Sequence, residues 1–144
     1  MTTVRDATAS DADDIYRLLS GFVTSYRPDR EVFDDVTFPR IVAAVSDGSA
    51  EFLVAEQESC VVGYLLAVRM PTLFAGGTVL ALLELTVAEP LRGRGTGSTL
   101  VRAAQARARE AKDVEVTVPT RRAAGFYRAL GFRETAVHLT WSAA

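Results

Sequence analysis

Leu85-Thr86-Val87-Ala88-Glu89-Pro90-Leu91-Arg92-Gly93-Arg94-Gly95-Thr96-Gly97-Ser98-Thr99-Leu100 runs from an apolar segment through a glycine-rich turn into a periodic one. Upstream, Thr78 to Val87 is almost wholly apolar, the pattern of a strand buried on both faces. Downstream, Leu100, Val101, Ala104, Ala108 and Ala111 recur on one side of a helix from Gly95 to Ala111. Between strand and helix, three glycines remove side chains where backbone can approach a ligand closely. The helix start adds free N–H groups and the positive end of a dipole. Together Gly93, Gly95, Thr96, Gly97 and Ser98 make a cradle for pyrophosphate, to which Arg92 and Arg94 add charged donors. A tight turn without a ligand could use the same glycines, so the turn alone leaves both readings open.

Glycine spacing narrows the ligand. An NTPase-type phosphate loop needs Gly-Lys followed by Ser or Thr, and the chain has no such pair. A dinucleotide fingerprint needs a third glycine where Ser98 or Leu100 stands. Charge is concentrated around the same turn. Residues 1–91 hold six Arg against fourteen acids, whereas residues 92–133 hold nine Arg and one Lys against three acids, so a net charge of −2 conceals an acidic first part and a basic later one. A basic block suits a polyanion. Its placement about a glycine turn favours a small phosphorylated ligand over nucleic acid, and no aromatics interleave with Arg between residues 92 and 125. Arg102, Arg107 and Arg109 are read as solvating a helix face.

Outward from the turn, the rest of the chain fills in. Thr2 to Thr8 reads as a strand, and Ser10 as the cap of a helix with Asp11, Asp13 and Asp14 in its first turn. Ile15, Leu18, Leu19 and Phe22 are its apolar face. A second helix covers part of Val32 to Val45, with Pro39 placed to start or split it. Glu51 to Glu56 and Val61 to Met70 read as a hairpin about Gln57-Glu58-Ser59. Asp113 to Val118 reads as another buried strand. A helix over about Arg121 to Leu130 is stopped by Gly131, and Val137 to Trp141 is a last strand. This order argues for a mixed sheet flanked by helices.

At 144 residues the chain is expected to be one domain, residues 1–144, with no linker or repeat. Its longest apolar run, Cys60 to Val68, is too short to span a bilayer, and Met1 to Asp6 lacks a secretory-type apolar stretch. A cytoplasmic protein without membrane association is the expectation. Cys60, the single cysteine, is read as a packed small hydrophobe beside Val61 and Val62.

A second motif makes the chain recognisable. Arg92, Gly95 and Gly97 fill an Arg/Gln-x-x-Gly-x-Gly/Ala pattern after a strand ending in Val87. About thirty residues on, Ala123-Ala124-Gly125-Phe126-Tyr127-Arg128-Ala129-Leu130-Gly131-Phe132 follows. With the opening Val4-Arg5-Asp6-Ala7-Thr8, these segments resemble the GNAT superfamily of N-acetyltransferases, in the expected order over essentially the whole chain. The resemblance implies a mainly antiparallel mixed α/β sheet of six to seven strands with about four flanking helices. It also implies acetyl-CoA as cosubstrate, no metal, and a small-molecule or protein amine as acceptor. Many members are dimers, so a homodimer is possible.

The resemblance implies roles as well. Backbone groups of Leu85, Thr86 and Val87 would bind pantetheine, with the N–H of Leu85 polarising the acetyl carbonyl. Tyr127 stands where a phenol often protonates the departing sulfur. Thr120 stands where many members carry an Asn that helps hold the cofactor, and its hydroxyl is the remaining donor. The segments Phe22 to Phe38 and Met70 to Gly77 would wall the acceptor, the first made acidic by Asp29, Glu31, Asp34 and Asp35. Glu84 is the only charged residue between Thr78 and Val87, costly there unless partnered or facing a cleft. It is the candidate base, or else a carboxylate held by a nearby Arg. His138 reads as structural. A domain that holds acyl-CoA as a sensor without turnover is the rival reading.

Overall fold

The strand signals become a sheet in the order β1-β2-β3-β4-β5 in a computed structural model that describes residues 1–19 and 28–143. Its strands are β1 (Thr3–Asp6), β2 (Ala50–Gln57), β3 (Cys60–Thr72), β4 (Gly77–Val87) and β5 (Glu115–Thr117). The first four pair antiparallel, and β5 joins β4 in parallel. Glu58 and Ser59 both take left-handed backbone, the twist that closes a two-residue hairpin between β2 and β3.

Helices cover both faces. A 3₁₀ turn (Ala9–Asp11) leads into α1 (Ala12–Leu19). The cap is Thr8 rather than Ser10, because the Thr8 N–H donates to the Asp11 carboxylate at 2.8 Å and Arg5 holds that carboxylate with two 2.9 Å bonds. Next, α2 (Arg30–Val32), a π turn (Phe33–Thr37) and α3 (Phe38–Ser46) form one helical run. Pro39 sits at the start of α3, where its missing N–H is tolerated next to the π turn. Phe22 and the rest of residues 20–27 lie outside the described residues. Ile15, Leu18, Phe33 and Phe38 pack on Phe52, Val54, Tyr64 and Leu66. On the opposite face α4 (Thr96–Ala111) and α5 (Ala124–Ala129) cover Leu53, Leu65, Leu80 and Leu82.

Five strands form among the described residues, against the six to seven expected. Val137–Trp141 joins no strand, and residues 133–143 are exposed. The segment from Asp113 to Val118 contributes only three residues to the ladder and is not buried: Glu115 and Thr117 are exposed. Pro119 lacks an N–H and closes this ladder, and among the described residues β5 has a neighbour on one side only. Cys60 is exposed rather than packed, because it opposes Gln57 at the hairpin end. Arg107 does more than solvate its helix: it reaches Asp6 at 2.9 Å and Glu51 at 2.8 Å. Glu51 also meets Arg69 at 2.6 Å, and Arg69 holds the buried Asp113 at 3.0 Å. Among the described residues no helix is long and apolar enough to cross a membrane.

Candidate functional site

Two irregularities in β4 create the site. The first is a bulge. Leu82 pairs with Ala67 and Glu84 with Leu66, leaving Leu83 as an extra residue, half exposed. The inserted residue reverses the alternation. Leu82 and Leu85 both belong to the layer under α4, while Glu84 turns to the other face, where Tyr64 lies. The second is divergence. Only Val79, Leu80 and Ala81 pair with β5, so the second half of β4 has no strand on that side among the described residues.

The chain after β4 makes a 3₁₀ turn (Glu89–Leu91) and enters α4 through Gly95, which takes left-handed backbone with φ +88°. A side chain at Gly95 would be strained in that conformation, and the same holds at Gly93 with φ +79°. Among the described residues no side chain caps α4. Its first-turn N–H groups therefore keep their donor capacity for a ligand. Thr96 is 3% exposed, and its Oγ1 is buried without a hydrogen-bond partner among the described residues. An orphaned hydroxyl beside an uncapped helix start fits an anion or its ester oxygens.

Here a cavity of about 500 Å³ opens. Nine of the residues expected to bind the ligand line it: Leu85, Thr86, Val87, Arg92, Gly93, Gly95, Thr96, Gly97 and Ser98. Leu91 and Phe126 complete the wall. A Cβ on Gly97 would meet the Phe126 ring at 3.4 Å, so the glycine admits the ring and leaves the cradle open. Phe126 was visible as half of the Phe-Tyr pair but carried no separate signal of facing the cavity. Arg92 also donates to the Val87 carbonyl at 3.1 Å, tying the loop back to the strand.

The remaining predicted residues do not line the cavity. Arg94 is exposed on the loop. Thr120 accepts a hydrogen bond from the Ala123 N–H at 3.1 Å, bracing the approach to α5. Tyr127 is buried, edge-on to Phe126 at 4.9 Å and Phe132 at 5.4 Å between ring centres. Burial raises its phenol above the usual value, so it stays protonated at neutral pH. Its hydroxyl makes no hydrogen bond to a described residue.

Glu84 is half-buried and accepts a 2.7 Å bond from the Tyr64 hydroxyl. Burial first, and then the carboxylate, hold the Tyr64 phenol far above its ordinary range, so Tyr64 stays the donor. Glu84 thus meets a phenol rather than the Arg of the alternative reading, a bond the sequence could not signal because Tyr64 lies on another strand. In the proposed acceptor wall, Asp29 caps α2 through the Glu31 N–H at 2.8 Å. Asp34 pairs with Arg30, which also meets Asp13 and stacks over Tyr16 at 4.8 Å. At the β3–β4 tip, Leu73 and Phe74 are exposed.

The model of the acetyltransferase (GNAT) family matches residues 12–132. No curated protein matches the sequence. Among solved structures, a transcriptional regulator from Bacillus halodurans C-125 is 26% identical, with a TM-score of 0.85 over 99% of both chains. Glucosamine-6-phosphate N-acetyltransferase from Arabidopsis thaliana is 15% identical, with a TM-score of 0.86 over 100% of this chain and 99% of the other. Ribosomal-protein-alanine N-acetyltransferase from Brucella melitensis is 20% identical, with a TM-score of 0.70 over 100% of this chain and 96% of the other.

Proposed function

The chain belongs to the GNAT family of acetyltransferases, and from that premise we propose that residues 1–144 act as one domain moving an acetyl group from acetyl-CoA to a primary amine by direct attack on the thioester. One observation carries the reading: the uncapped start of α4, with the orphaned Thr96 hydroxyl, opens into the same cavity as the unpaired half of β4. That is a pyrophosphate site placed beside free backbone hydrogen-bonding groups.

When bound, acetyl-CoA supplies the acetyl group in activated form. The glycine loop, the α4 N–H groups and Arg92 hold its phosphates. Backbone of Leu85, Thr86 and Val87 holds the pantetheine arm, and the Leu85 N–H steadies the carbonyl oxygen as charge develops on it. Glu84, on the other face of β4, takes a proton from the arriving ammonium so that the neutral amine can attack. Tyr64 fixes that carboxylate's orientation through its 2.7 Å bond. As the C–N bond forms and the C–S bond breaks, Tyr127 gives its proton to the sulfur, and the second proton released by the nitrogen reaches the phenolate through solvent. No metal enters.

The acceptor is a small-molecule amine or a protein amine, met in the cytoplasm. The Arabidopsis relative acts on an amino sugar phosphate and the Brucella relative on a ribosomal protein's alanine, so both classes belong in the screen. Nucleic acid is disfavoured, since Arg107, Arg69 and Arg128 are engaged by carboxylates. Free thiol release from acetyl-CoA is measured with a panel of both amine classes. Amine-dependent release at one equivalent per acetylated product supports transfer. Tight acetyl-CoA binding with no release above background for any amine would instead support a sensor.

A further inference from the structure

Gly63 stands in the buried, otherwise apolar first half of β3, opposite Val87 on β4. A glycine inside a strand weakens it and marks a place where other atoms must come close. Three do so here. A Cβ at position 63 would lie 2.9 Å from the Thr86 carbonyl oxygen and 3.4 Å from both Leu100 Cδ1 and Val87 Cγ2. These contacts are unequal. Leu100 and Val87 offer methyl ends that a small rotation withdraws. The Thr86 oxygen belongs to the backbone, and 2.9 Å is well inside the roughly 3.3 Å at which carbon ordinarily rests on a carbonyl oxygen. Any side chain at position 63 therefore pushes the end of β4 away from β3.

That end of β4 faces the cavity. The Ala88 N–H donates to the Val62 carbonyl at 2.8 Å. Successive residues of an antiparallel strand turn their bonding groups to opposite sides. Thr86 thus turns its own toward β3, where it opposes Tyr64. Leu85 and Val87 turn theirs to the side that has no strand among the described residues, and both line the cavity. The Leu85 side chain also reaches the cradle, 3.9 Å from where a Cβ on Gly97 would stand. Displacing Thr86 displaces Leu85 and Val87 with it, while fully buried Leu100 holds the start of α4 in place.

We propose that Gly63 is a positioning residue for acetyl-CoA. By letting β4 close on β3, it sets Leu85 and Val87 within reach of a pantetheine arm whose phosphates lie in the cradle. The proposal rests on the acetyl-CoA reading of the cavity. Gly63 acts through the Thr86 carbonyl and does not itself touch the cofactor. Its signature is a split: affinity for the part of the cofactor that meets β4 depends on Gly63, and affinity for the part that meets α4 does not.

Calorimetric titration of the full chain with two probes reads that split. Acetyl-CoA carries the pantetheine arm, whereas 3′-phosphoadenosine 5′-diphosphate keeps the pyrophosphate and lacks the arm. Gly63→Ala should weaken acetyl-CoA roughly 10-fold, the worth of one or two misaligned backbone hydrogen bonds, and leave the second probe within about twofold of wild type. If Gly63→Ala does not fold, Gly63→Ala/Leu100→Val is titrated instead. Shortening Leu100 makes room in the core and leaves the contact with the Thr86 carbonyl in place. Equal loss of both probes would mean a generally loosened site, and loss of neither a tolerant strand; each overturns the proposal. Failure of both variants to fold overturns it too, since Gly63 would then serve folding alone. A wild type that binds neither probe instead overturns the acetyl-CoA reading, and this proposal with it.

Discussion

Two side chains divide the proton work in this account, and their surroundings differ accordingly. Tyr127 has its ring in the core and burial keeps its phenol protonated, as an acid requires. Tyr127→Phe keeps the packing on Phe126 and Phe132, so turnover should fall roughly 10²-fold while acetyl-CoA affinity holds. An unchanged rate, with chemistry rate-limiting, would reduce Tyr127 to a core aromatic. Glu84→Gln keeps the bond from Tyr64 and removes basicity. Its turnover should suffer most at low pH and partly recover as pH rises, because solution then deprotonates the amine. A profile parallel to wild type would assign Glu84 a structural role. Both residues were legible in the sequence, Glu84 as the lone charge on an apolar strand and Tyr127 within a motif. The face Glu84 occupies was not legible. It depends on the extra residue Leu83, and bulges of this kind leave no mark in an all-apolar run.

At the scale of elements, what the sequence revealed was whatever local chemistry decides. The turn into α4 was readable because Gly93 and Gly95 are needed for left-handed backbone, and the apolar period of α4 survives as buried Leu100, Val101, Ala104 and Ala108. Long-range partnership was not readable. The alternation of Val137 to Trp141 signals a strand but says nothing of what it pairs with, and among the described residues β5 pairs only with β4. The ion pairs were hidden for the same reason. Arg69, near the end of β3, gathers Glu51 from β2 and Asp113 from the approach to β5. Arg69→Met should cost about 3–5 kcal/mol in urea unfolding, because Asp113 is left buried with its charge unpaired. Adding Asp113→Leu should recover much of that loss. If the single variant unfolds like wild type, the network contributes little.

For the molecule as a whole, ion pairs at Arg107 and between Arg69 and Asp113 join the acidic first part to the basic later part. Asp6 and Glu51 meet Arg107 across the β1–β2 end and α4. Within the first part, Arg5 holds Asp11 and Glu56. The Arg5 bonds pull the Asp11 carboxyl below its usual value. A carboxyl depressed in the folded state stabilises fully above the unfolded value of about 3.9, and that stability is lost as pH falls through the lower folded value. Urea unfolding of Asp11→Asn should therefore show a shallower loss between pH 5 and pH 3 than wild type. A slope equal to wild type would place the acid sensitivity elsewhere. Calorimetric titration of the full chain with acetyl-CoA probes the cradle at the start of α4. Gly97→Leu is the paired control, since Cβ growth there runs toward Phe126 and Leu85 and into the cavity. Binding should saturate at one acetyl-CoA per wild-type chain and be lost in Gly97→Leu, although that variant melts as a folded protein. Absence of binding to the wild type, or equal binding by both proteins, would contradict it.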